Sequence, residues 1–176
     1  MSRPKGANLY FIEARPPEGR VLLRRPEESD MDRLANWYGE ALTIAYGQAP
    51  ADGGLSRLRA LLEQTRPGLI VVRADEQQPI GVVEYELANP KPGWCTFDFV
   101  AIEPQLRGWG YGSEAVRLAE QLVGEQGIAR RFRALVAPSN GLNFYFWLRL
   151  GYRTARQEDR IDAFVDDALA MVRTQK

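Results

Sequence analysis

The sequence contains no histidine and a single cysteine, Cys95, among its 176 residues. The absence of histidine excludes the histidine-dependent catalytic triads and most zinc sites, which use imidazole ligands. One cysteine can form neither a disulfide within the chain nor a cluster of thiolate ligands, so no metal site is predicted. Proton transfer in any active site must therefore use carboxylates, Tyr, Lys, the cysteine or water.

The chain also lacks an excess of either charge and a long apolar run. It has 23 basic and 23 acidic residues, so net charge gives no argument for binding nucleic acid or an acidic membrane. No apolar stretch approaches the roughly 20 residues of a membrane span, and the start of the chain has no continuous apolar segment typical of a secretion signal. We expect a cytoplasmic protein without a membrane or nucleic-acid partner, with an N-terminal extension, residues 1–18, and one domain, residues 19–176.

Hydrophobic periodicity predicts an α+β fold, or layered α/β, with one mixed sheet flanked by helices. Three β-branched runs joined by short turns form a predicted antiparallel meander. The predicted strands are residues 19–26, 68–74, 80–87, 94–104, 131–138 and 163–173. The predicted helices are residues 27–42, residues 54–65, the segment after Gly112, and residues 139–152, where Gly151 ends the last helix.

Three glycines at alternate positions, Gly108, Gly110 and Gly112, separate an apolar run from an amphipathic one. Glycine within a strand or helix costs roughly 0.5–1 kcal/mol relative to Ala, so such a pattern favours a backbone that approaches something closely. Unpaired N–H groups at a helix start, with the helix dipole, suit a pyrophosphate. The alternative is a glycine-rich corner used only for close packing. The segment fits neither the P-loop, since no Gly-Lys-Ser/Thr follows, nor the Rossmann glycine spacing.

The stretch VAIEPQLRGWGYGSEAV, residues 100–116, resembles motif A of the GNAT superfamily of acyl-CoA-dependent N-acetyltransferases. Its core, Arg/Gln-x-x-Gly-x-Gly/Ala, is matched by Arg107, Gly110 and Gly112. A second family signature, an Asn followed eleven residues later by a Gly before Phe or Tyr, is matched by Asn140 and Gly151 in NGLNFYFWLRLGY. The two motifs occur in the family's order, and the resemblance covers about residues 19–173.

The resemblance implies acetyl-CoA as cosubstrate and a single mixed, mostly antiparallel sheet that is splayed in the middle to admit the thioester. It implies that Val100 and Ile102 pair their backbone groups with the pantetheine arm, and that Asn140 forms a hydrogen bond near the pantetheine or acetyl end. Backbone amides of the glycine-rich segment would bind the pyrophosphate; these residues are Arg107, Gly108, Trp109, Gly110, Tyr111 and Gly112.

The sequence departs from the family at the residue four before Gly151, where members often carry a Tyr that protonates the leaving thiolate. Here this residue is Trp147, whose indole N–H donates a hydrogen bond but no proton at a useful pH. We expect Trp147 to face the thioester and pack against the pantetheine arm. Tyr145 lies about 200° further round the helix, which makes it a core residue in our prediction rather than a replacement acid.

Three carboxylates are candidates for the general base, Glu84, Glu86 and Asp98, and the sequence does not rank them. Glu84 and Glu86 alternate on one strand and share a face, and Asp98 is expected to share a face with Val100 and Ile102. The alternative is that two of them are surface residues on the solvated side of the meander. Cys95, next to Trp94, is expected to be a buried apolar residue rather than a nucleophile.

These features predict an N-acetyltransferase that transfers the acetyl group of acetyl-CoA to a primary amine by direct attack in a ternary complex. The alternative is a non-catalytic acyl-CoA-binding or regulatory domain that has lost the acid. The acceptor is a small molecule or a protein N-terminus, no metal is required, and the protein is a monomer or a homodimer.

Overall fold

A computed structural model describes residues 13–14 and 19–175. The strands are β1 (Glu13–Ala14), β2 (Val21–Arg24), β3 (Gly68–Arg73), β4 (Gln78–Leu87), β5 (Gly93–Ile102), β6 (Ala129–Val136), β7 (Arg153–Thr154), β8 (Phe164–Val165) and β9 (Ala168–Thr174). The helices are α1 (Met31–Tyr46), α2 (Leu55–Leu62), α3 (Tyr111–Glu125) and α4 (Gly141–Arg149). Among the residues described, no helix is long and apolar enough to span a membrane.

The strands form one sheet in the order β1-β2-β3-β4-β5-β6-β9-β7, with β8 paired to β9. Neighbouring strands are antiparallel except β5 and β6, which are parallel and connected through α3. The predicted meander is β3, β4 and β5, whose short turns allow only antiparallel pairing. The predicted single mixed, mostly antiparallel sheet is confirmed.

The sheet opens between β5 and β6. The pairing between them runs only from Gly93 and Ala129 to Phe97 and Ala134. Residues 98–102 of β5 have no strand partner on this side within the described chain, although residues 99–102 remain paired with β4 on the other. The splay expected from the family resemblance is therefore present, and it opens directly before the glycine-rich segment.

Helices cover both faces of the sheet, each over its own apolar cluster. On the α3–α4 face, Val83, Phe97 and Val116 belong to one buried cluster. On the α1–α2 face, Val82 and Leu58 belong to another. Alternate residues of a strand belong to the two clusters, because successive side chains point to opposite sides of a sheet.

Two boundaries differ from the predictions. The closing strand predicted over residues 163–173 is a hairpin, β8 and β9, because Asp166 and Asp167 adopt φ values of 47° and 66°. Aspartate is among the residues that tolerate this left-handed conformation, which two-residue hairpin turns require. At the other end, β1 pairs with β2 and lies inside the segment 1–18 that the sequence suggested as an extension. The division into extension and domain stays a prediction.

Candidate active site

The glycine-rich segment links the splayed end of β5 to α3. A short 3₁₀ turn, Pro104–Leu106, follows β5, and Gly108 and Gly110 then adopt φ values of 84° and 89°. A residue with a Cβ would lose about 1–2 kcal/mol in this left-handed conformation. Gly112 is different, since it lies within the helix, and a Cβ there would meet Phe146 at 3.5 Å in ordinary contact. The first two glycines are thus required by the backbone itself.

This segment presents unpaired N–H groups to solvent. Within the described residues, the N–H groups of Gly108, Trp109 and Gly110 have no intramolecular acceptor. The helical hydrogen bonds of α3 begin when Glu114 donates to the Gly110 carbonyl at 3.1 Å, so the first-turn N–H groups add to this set. Together with the positive end of the α3 dipole, these unpaired N–H groups favour an anion at the loop.

The side chain of Arg107 holds the loop together. Its Nε donates to the Ile102 carbonyl at 2.9 Å, which ties the loop back to the end of β5. Its guanidinium is therefore part of the loop's scaffold. Its backbone N–H donates to the Pro104 carbonyl at 3.3 Å, so the unpaired N–H groups of the loop begin at Gly108 and not at Arg107, where the sequence predicted them. Trp109, between the two left-handed glycines, is 68% exposed.

Backbone groups of Val100 and Ile102 point into the gap between β5 and β6. Glu103 donates its N–H to the Ile80 carbonyl of β4 at 2.8 Å. Because backbone groups of successive strand residues point to alternate sides, those of Ile102 and Val100 point away from β4. This orientation would allow them to pair with an extended chain lying in the gap, and the Ile102 carbonyl already accepts from Nε of Arg107.

A β-bulge places Asp98 at the point where the gap begins. Glu84 is opposite Phe99 and Tyr85 is opposite Phe97, so Asp98 is the extra residue on β5. The bulge reverses the alternation of side chains. The prediction that Asp98 shares a face with Val100 and Ile102 is therefore wrong.

The surroundings of Asp98 on the α1–α2 face combine burial with one ion-pair partner within 4 Å among the described residues. Its side chain is 22% exposed, and one carboxylate oxygen lies 3.7 Å from Nη2 of Arg66. Burial, and secondarily the neighbouring Glu86 carboxylate, raises the pKa of Asp98 to about 6, against an opposing effect of Arg66. The hydroxyl of Tyr46, at the end of α1, donates to the Asp98 carbonyl at 3.1 Å and so fixes the bulge.

The other two candidate carboxylates lie on the same face but differ in their partners. Glu84 is fully buried and accepts hydrogen bonds from the Tyr38 hydroxyl, from Arg57 at 2.7 Å and 3.0 Å, and from Arg66. Glu86 is exposed and accepts from the side-chain amide of Asn89. The structure thus brings all three carboxylates to one region and engages both oxygens of Glu84 fully.

A family model, the acetyltransferase (GNAT) domain, matches residues 20–164. The chain belongs to the GNAT acetyltransferase family. No curated protein matches this GNAT acetyltransferase significantly. The match covers the glycine-rich loop, the splayed strands and α4, which are the elements of the site described above.

Solved GNAT structures share this fold at low identity. Spermidine N-acetyltransferase from Vibrio cholerae, in complex with CoA and spermine, is 17% identical with a TM-score of 0.67, over 89% of this chain and 96% of that one. The ribosomal-protein-S5-alanine acetyltransferase from Vibrio fischeri is 16% identical with a TM-score of 0.67, over 94% and 97%. PaiA N-acetyltransferase from Thermoplasma acidophilum, in complex with coenzyme A, is 16% identical with a TM-score of 0.63, over 88% and 98%.

The aromatic residue at the usual acid position of this GNAT acetyltransferase belongs to the core. Trp147 is 3% exposed, stacks on Phe97 with ring centroids 5.7 Å apart, and meets Tyr152 at 4.8 Å. Phe97 is the last residue of β5 that is paired with β6, so Trp147 packs next to the point where the sheet opens. Tyr145 is 58% exposed, with the Arg149 guanidinium 5.8 Å from the centre of its ring, so the prediction that it is a core residue is wrong.

The side chains of two further predicted residues, Asn140 and Cys95, have structural roles. Asn140 caps α4, since its Oδ1 accepts from the Asn143 N–H at 3.0 Å, and its side-chain NH2 group has no acceptor among the described residues. Cys95 is fully buried, and burial raises the pKa of its thiol far above the usual range. This protonated thiol is a poor nucleophile, as the sequence suggested. In the described ranges, no three His, Cys, Asp or Glu side chains form a possible metal site.

Sequence reasoning missed two residues of the site, Arg20 and Tyr46. Arg20 precedes β2 yet its Nη2 donates to the Trp109 carbonyl at 3.0 Å. Tyr46 ends α1 yet contacts the bulge in β5. No local pattern marks either residue, because each reaches the site only through the pairing order of the sheet and the packing of α1 on it.

Proposed function

We propose that this GNAT acetyltransferase transfers the acetyl group of acetyl-CoA to a primary amine by direct attack in a ternary complex. The observation that carries the proposal is the opening between β5 and β6 next to the loop of unpaired N–H groups. One end of the opening suits a pyrophosphate, and its edge offers backbone groups for a pantetheine arm. A carboxylate with a pKa near 6 lies where the opening begins.

The residues present fit acetyl-CoA. The backbone N–H groups from Gly108 to Gly112 would bind the pyrophosphate, and Val100 and Ile102 would bind the pantetheine arm through their backbones. When bound, acetyl-CoA supplies the activated acetyl group as a thioester. The gap holds the amine and the thioester together, which converts a bimolecular reaction into an effectively unimolecular one.

Asp98 is the proposed general base. Glu84 has both oxygens occupied by guanidinium and hydroxyl donors, and Glu86 is an exposed carboxylate bonded to Asn89. Asp98 has one cation at 3.7 Å and a pKa of about 6. It is therefore ionised at neutral pH and more basic than an ordinary aspartate, which suits it to accept the ammonium proton directly or through water.

The proposed reaction uses no dedicated acid. Trp147 cannot supply a proton and is buried in the core. A thiol of the cysteine type has a pKa of about 8.5, so the thiolate is a tolerable leaving group near neutral pH. The absence of an acid then costs about 10²-fold, the low end for acid–base catalysis, rather than all activity.

The proposed acceptor is the primary amine of a small molecule or a protein N-terminus. The structural relatives include a spermidine N-acetyltransferase and a ribosomal-protein-S5-alanine acetyltransferase. Polyamines and protein N-termini both carry a primary amine that could be acetylated. The test is CoA-thiol release with a panel of polyamines, amino acids, aminoglycosides and peptide N-termini. Binding of acetyl-CoA without release of thiol by any acceptor would favour the alternative, a non-catalytic acyl-CoA-binding domain.

A further inference from the structure

A cation from the far end of the sheet lies against the loop that precedes α3. Arg20, just before β2, donates through Nε to Glu114 at 2.6 Å and through Nη2 to Glu114 and to the Trp109 carbonyl. Its Nη2 is 3.1 Å from the position that a Cβ on Gly110 would occupy. Its guanidinium also lies 4.9 Å from the centre of the Tyr111 ring. Four separate contacts thus fix this side chain beside the unpaired N–H groups.

Glu114 creates an electrostatic problem for a phosphate site. It lies in the first turn of α3, close to where the loop's N–H groups would bind a dianionic pyrophosphate. A carboxylate is favourable for the helix itself at this end, but it repels a phosphate bound there. Arg20 cancels the charge of Glu114. The two hydrogen bonds that it donates to this carboxylate also fix the position of the guanidinium.

The guanidinium of Arg20 retains donors for a ligand. Nε and Nη2 are engaged, whereas Nη1 has no partner among the described residues, and the side chain is 51% exposed. Guanidinium N–H groups bind phosphate oxygens strongly because both partners are charged. We propose that Nη1 of Arg20 donates to the pyrophosphate of acetyl-CoA while Nε and Nη2 stay on Glu114. This inference rests on the proposed function and adds to it a side chain in the phosphate site.

The experiment measures CoA affinity by isothermal titration calorimetry at low salt for the native protein and four variants. Arg20→Gln is expected to weaken CoA binding about tenfold, the loss of one charge-assisted hydrogen bond. Arg20→Lys should weaken it less, since a lysine keeps the charge but cannot hold Glu114 and the phosphate together. Arg117→Gln removes an exposed charge one turn further along α3 and is expected to leave affinity unchanged. Thermal unfolding shows whether each variant is folded.

Two further arms separate direct contact from mere charge cancellation. In the double variant Arg20→Gln/Glu114→Gln, the loss of affinity persists if Arg20 contacts the phosphate, whereas full recovery would overturn the direct contact. With dephospho-CoA, which keeps the pyrophosphate but lacks the 3′-phosphate, the Arg20→Gln loss should be the same. A loss confined to CoA would move the contact to the 3′-phosphate and overturn the pyrophosphate assignment.

The outcomes distinguish this inference from the proposed function. If the native protein binds CoA and Arg20→Gln binds it equally well, the proposed Arg20 contact is wrong and the proposed function stands. Native protein that does not bind CoA would remove both the contact and the cosubstrate.

Discussion

Asp98 is the residue whose surroundings suit proton transfer at neutral pH. It lies at the bulge that starts the gap, and it is largely buried. Arg66, 3.7 Å away, and Arg57 are the cations that oppose the rise of its pKa. Its pKa of about 6 follows from burial first and from the Glu86 carboxylate second. Glu84 lies on the same face and is also buried, but its oxygens are occupied by donors. Local surroundings therefore separate residues that look alike in the sequence.

Replacing Asp98 by Asn should lower kcat/KM by about 10²- to 10⁴-fold, the usual contribution of a general base. In the native enzyme, kcat/KM should rise with pH up to about 6 and then level off as the Asp98 carboxylate ionises. This rise of kcat/KM with pH should be absent from Asp98→Asn, while the affinity for CoA is unchanged. The measurement is a pH–rate profile with the best acceptor. A larger loss in Glu86→Gln than in Asp98→Asn would assign the base to Glu86.

Trp147 is predicted to affect stability before catalysis. It is 3% exposed and in contact with Phe97 and Tyr152. Trp147→Ala should therefore lower the free energy of unfolding by about 3–5 kcal/mol through the cavity it leaves, and Trp147→Phe by less. The measurement is urea unfolding. The control is Tyr145→Ala, on the exposed side of α4, whose free energy of unfolding should change by no more than about 0.5 kcal/mol. A stable Trp147→Ala that loses only CoA affinity would return this residue to the ligand-contacting role expected from the sequence.

At the scale of elements, the loop between β5 and α3 depends on two left-handed glycines, and α3 supplies a control for them. Gly110, with φ of 89°, lies against Arg20 before the helix, and Gly127, with φ of 69°, lies beyond its far end with open space around it. Both positions carry the same conformational cost for a residue with a Cβ. Only one of them lies at the proposed phosphate site.

Gly110→Ala and Gly127→Ala should each destabilise the protein by about 1–2 kcal/mol, the cost of left-handed backbone for a residue with a Cβ. CoA affinity should fall only in Gly110→Ala, because there the added methyl group displaces Arg20 or the loop. Thermal unfolding and calorimetric titration of both variants give the comparison. Equal CoA affinity in the two variants would contradict the assignment of the loop as the phosphate site.

The buried carboxylate of Glu84 joins three elements. It accepts from Tyr38 of α1, from Arg57 of α2 and from Arg66, which precedes β3. Arg57 in turn donates to the Tyr46 hydroxyl at 3.0 Å, and Tyr46 donates to Asp98 at the bulge. Through these contacts α1 and α2 are fixed over the beginning of the gap, so Glu84 is a positioning residue for the site.

Glu84→Gln should lower the free energy of unfolding by about 3 kcal/mol, the lower end for breaking a buried ion pair, since both guanidinium groups are part-exposed. Tyr38→Phe removes only one hydrogen bond to the same carboxylate and should cost about 1 kcal/mol. Chemical denaturation of the two variants tests the ranking. A Glu84→Gln loss no larger than that of Tyr38→Phe would mean that solvent already compensates the arginines.

At the scale of the whole molecule, the raised pKa of Asp98 connects the site to the pH dependence of stability. The folded-state pKa of about 6 lies above that of aspartate in an unfolded chain, about 3.9. Between these values the folded protein binds more protons than the unfolded chain. This group therefore makes the free energy of unfolding fall as pH rises through this window.

Asp98→Asn removes this effect and should stabilise the protein at pH 7 more than at pH 4. The expected result is a higher Tm for the variant than for the native protein at pH 7, with the difference shrinking toward pH 4. Differential scanning calorimetry at several pH values measures it. A Tm difference that does not change with pH would contradict the raised pKa.

Much of the architecture could be predicted because its signals are local. The periodicity of α3, the β-branched runs of β3 to β5 and the left-handed glycines each act over a few residues. The interruption of the closing strand by Asp166 and Asp167 is visible in the sequence, but that they form a two-residue turn is shown only by their left-handed backbone conformation.

From the amino-acid sequence alone, histidine chemistry, an intrachain disulfide and a thiolate cluster could be excluded, and the resemblance to GNAT acetyltransferases could be recognised. The anion site at the glycines of residues 108–112 is a prediction from the same sequence. The tertiary structure decided which carboxylate faces which partners. One extra residue in β5 turned Asp98 to the α1–α2 face, and the packing of α1 and α2 occupied Glu84. Arg20 reached the loop from before β2 because β2 lies beneath α3 in the folded sheet. Burial, charge neighbours and strand register arise between distant segments, and no local pattern encodes them.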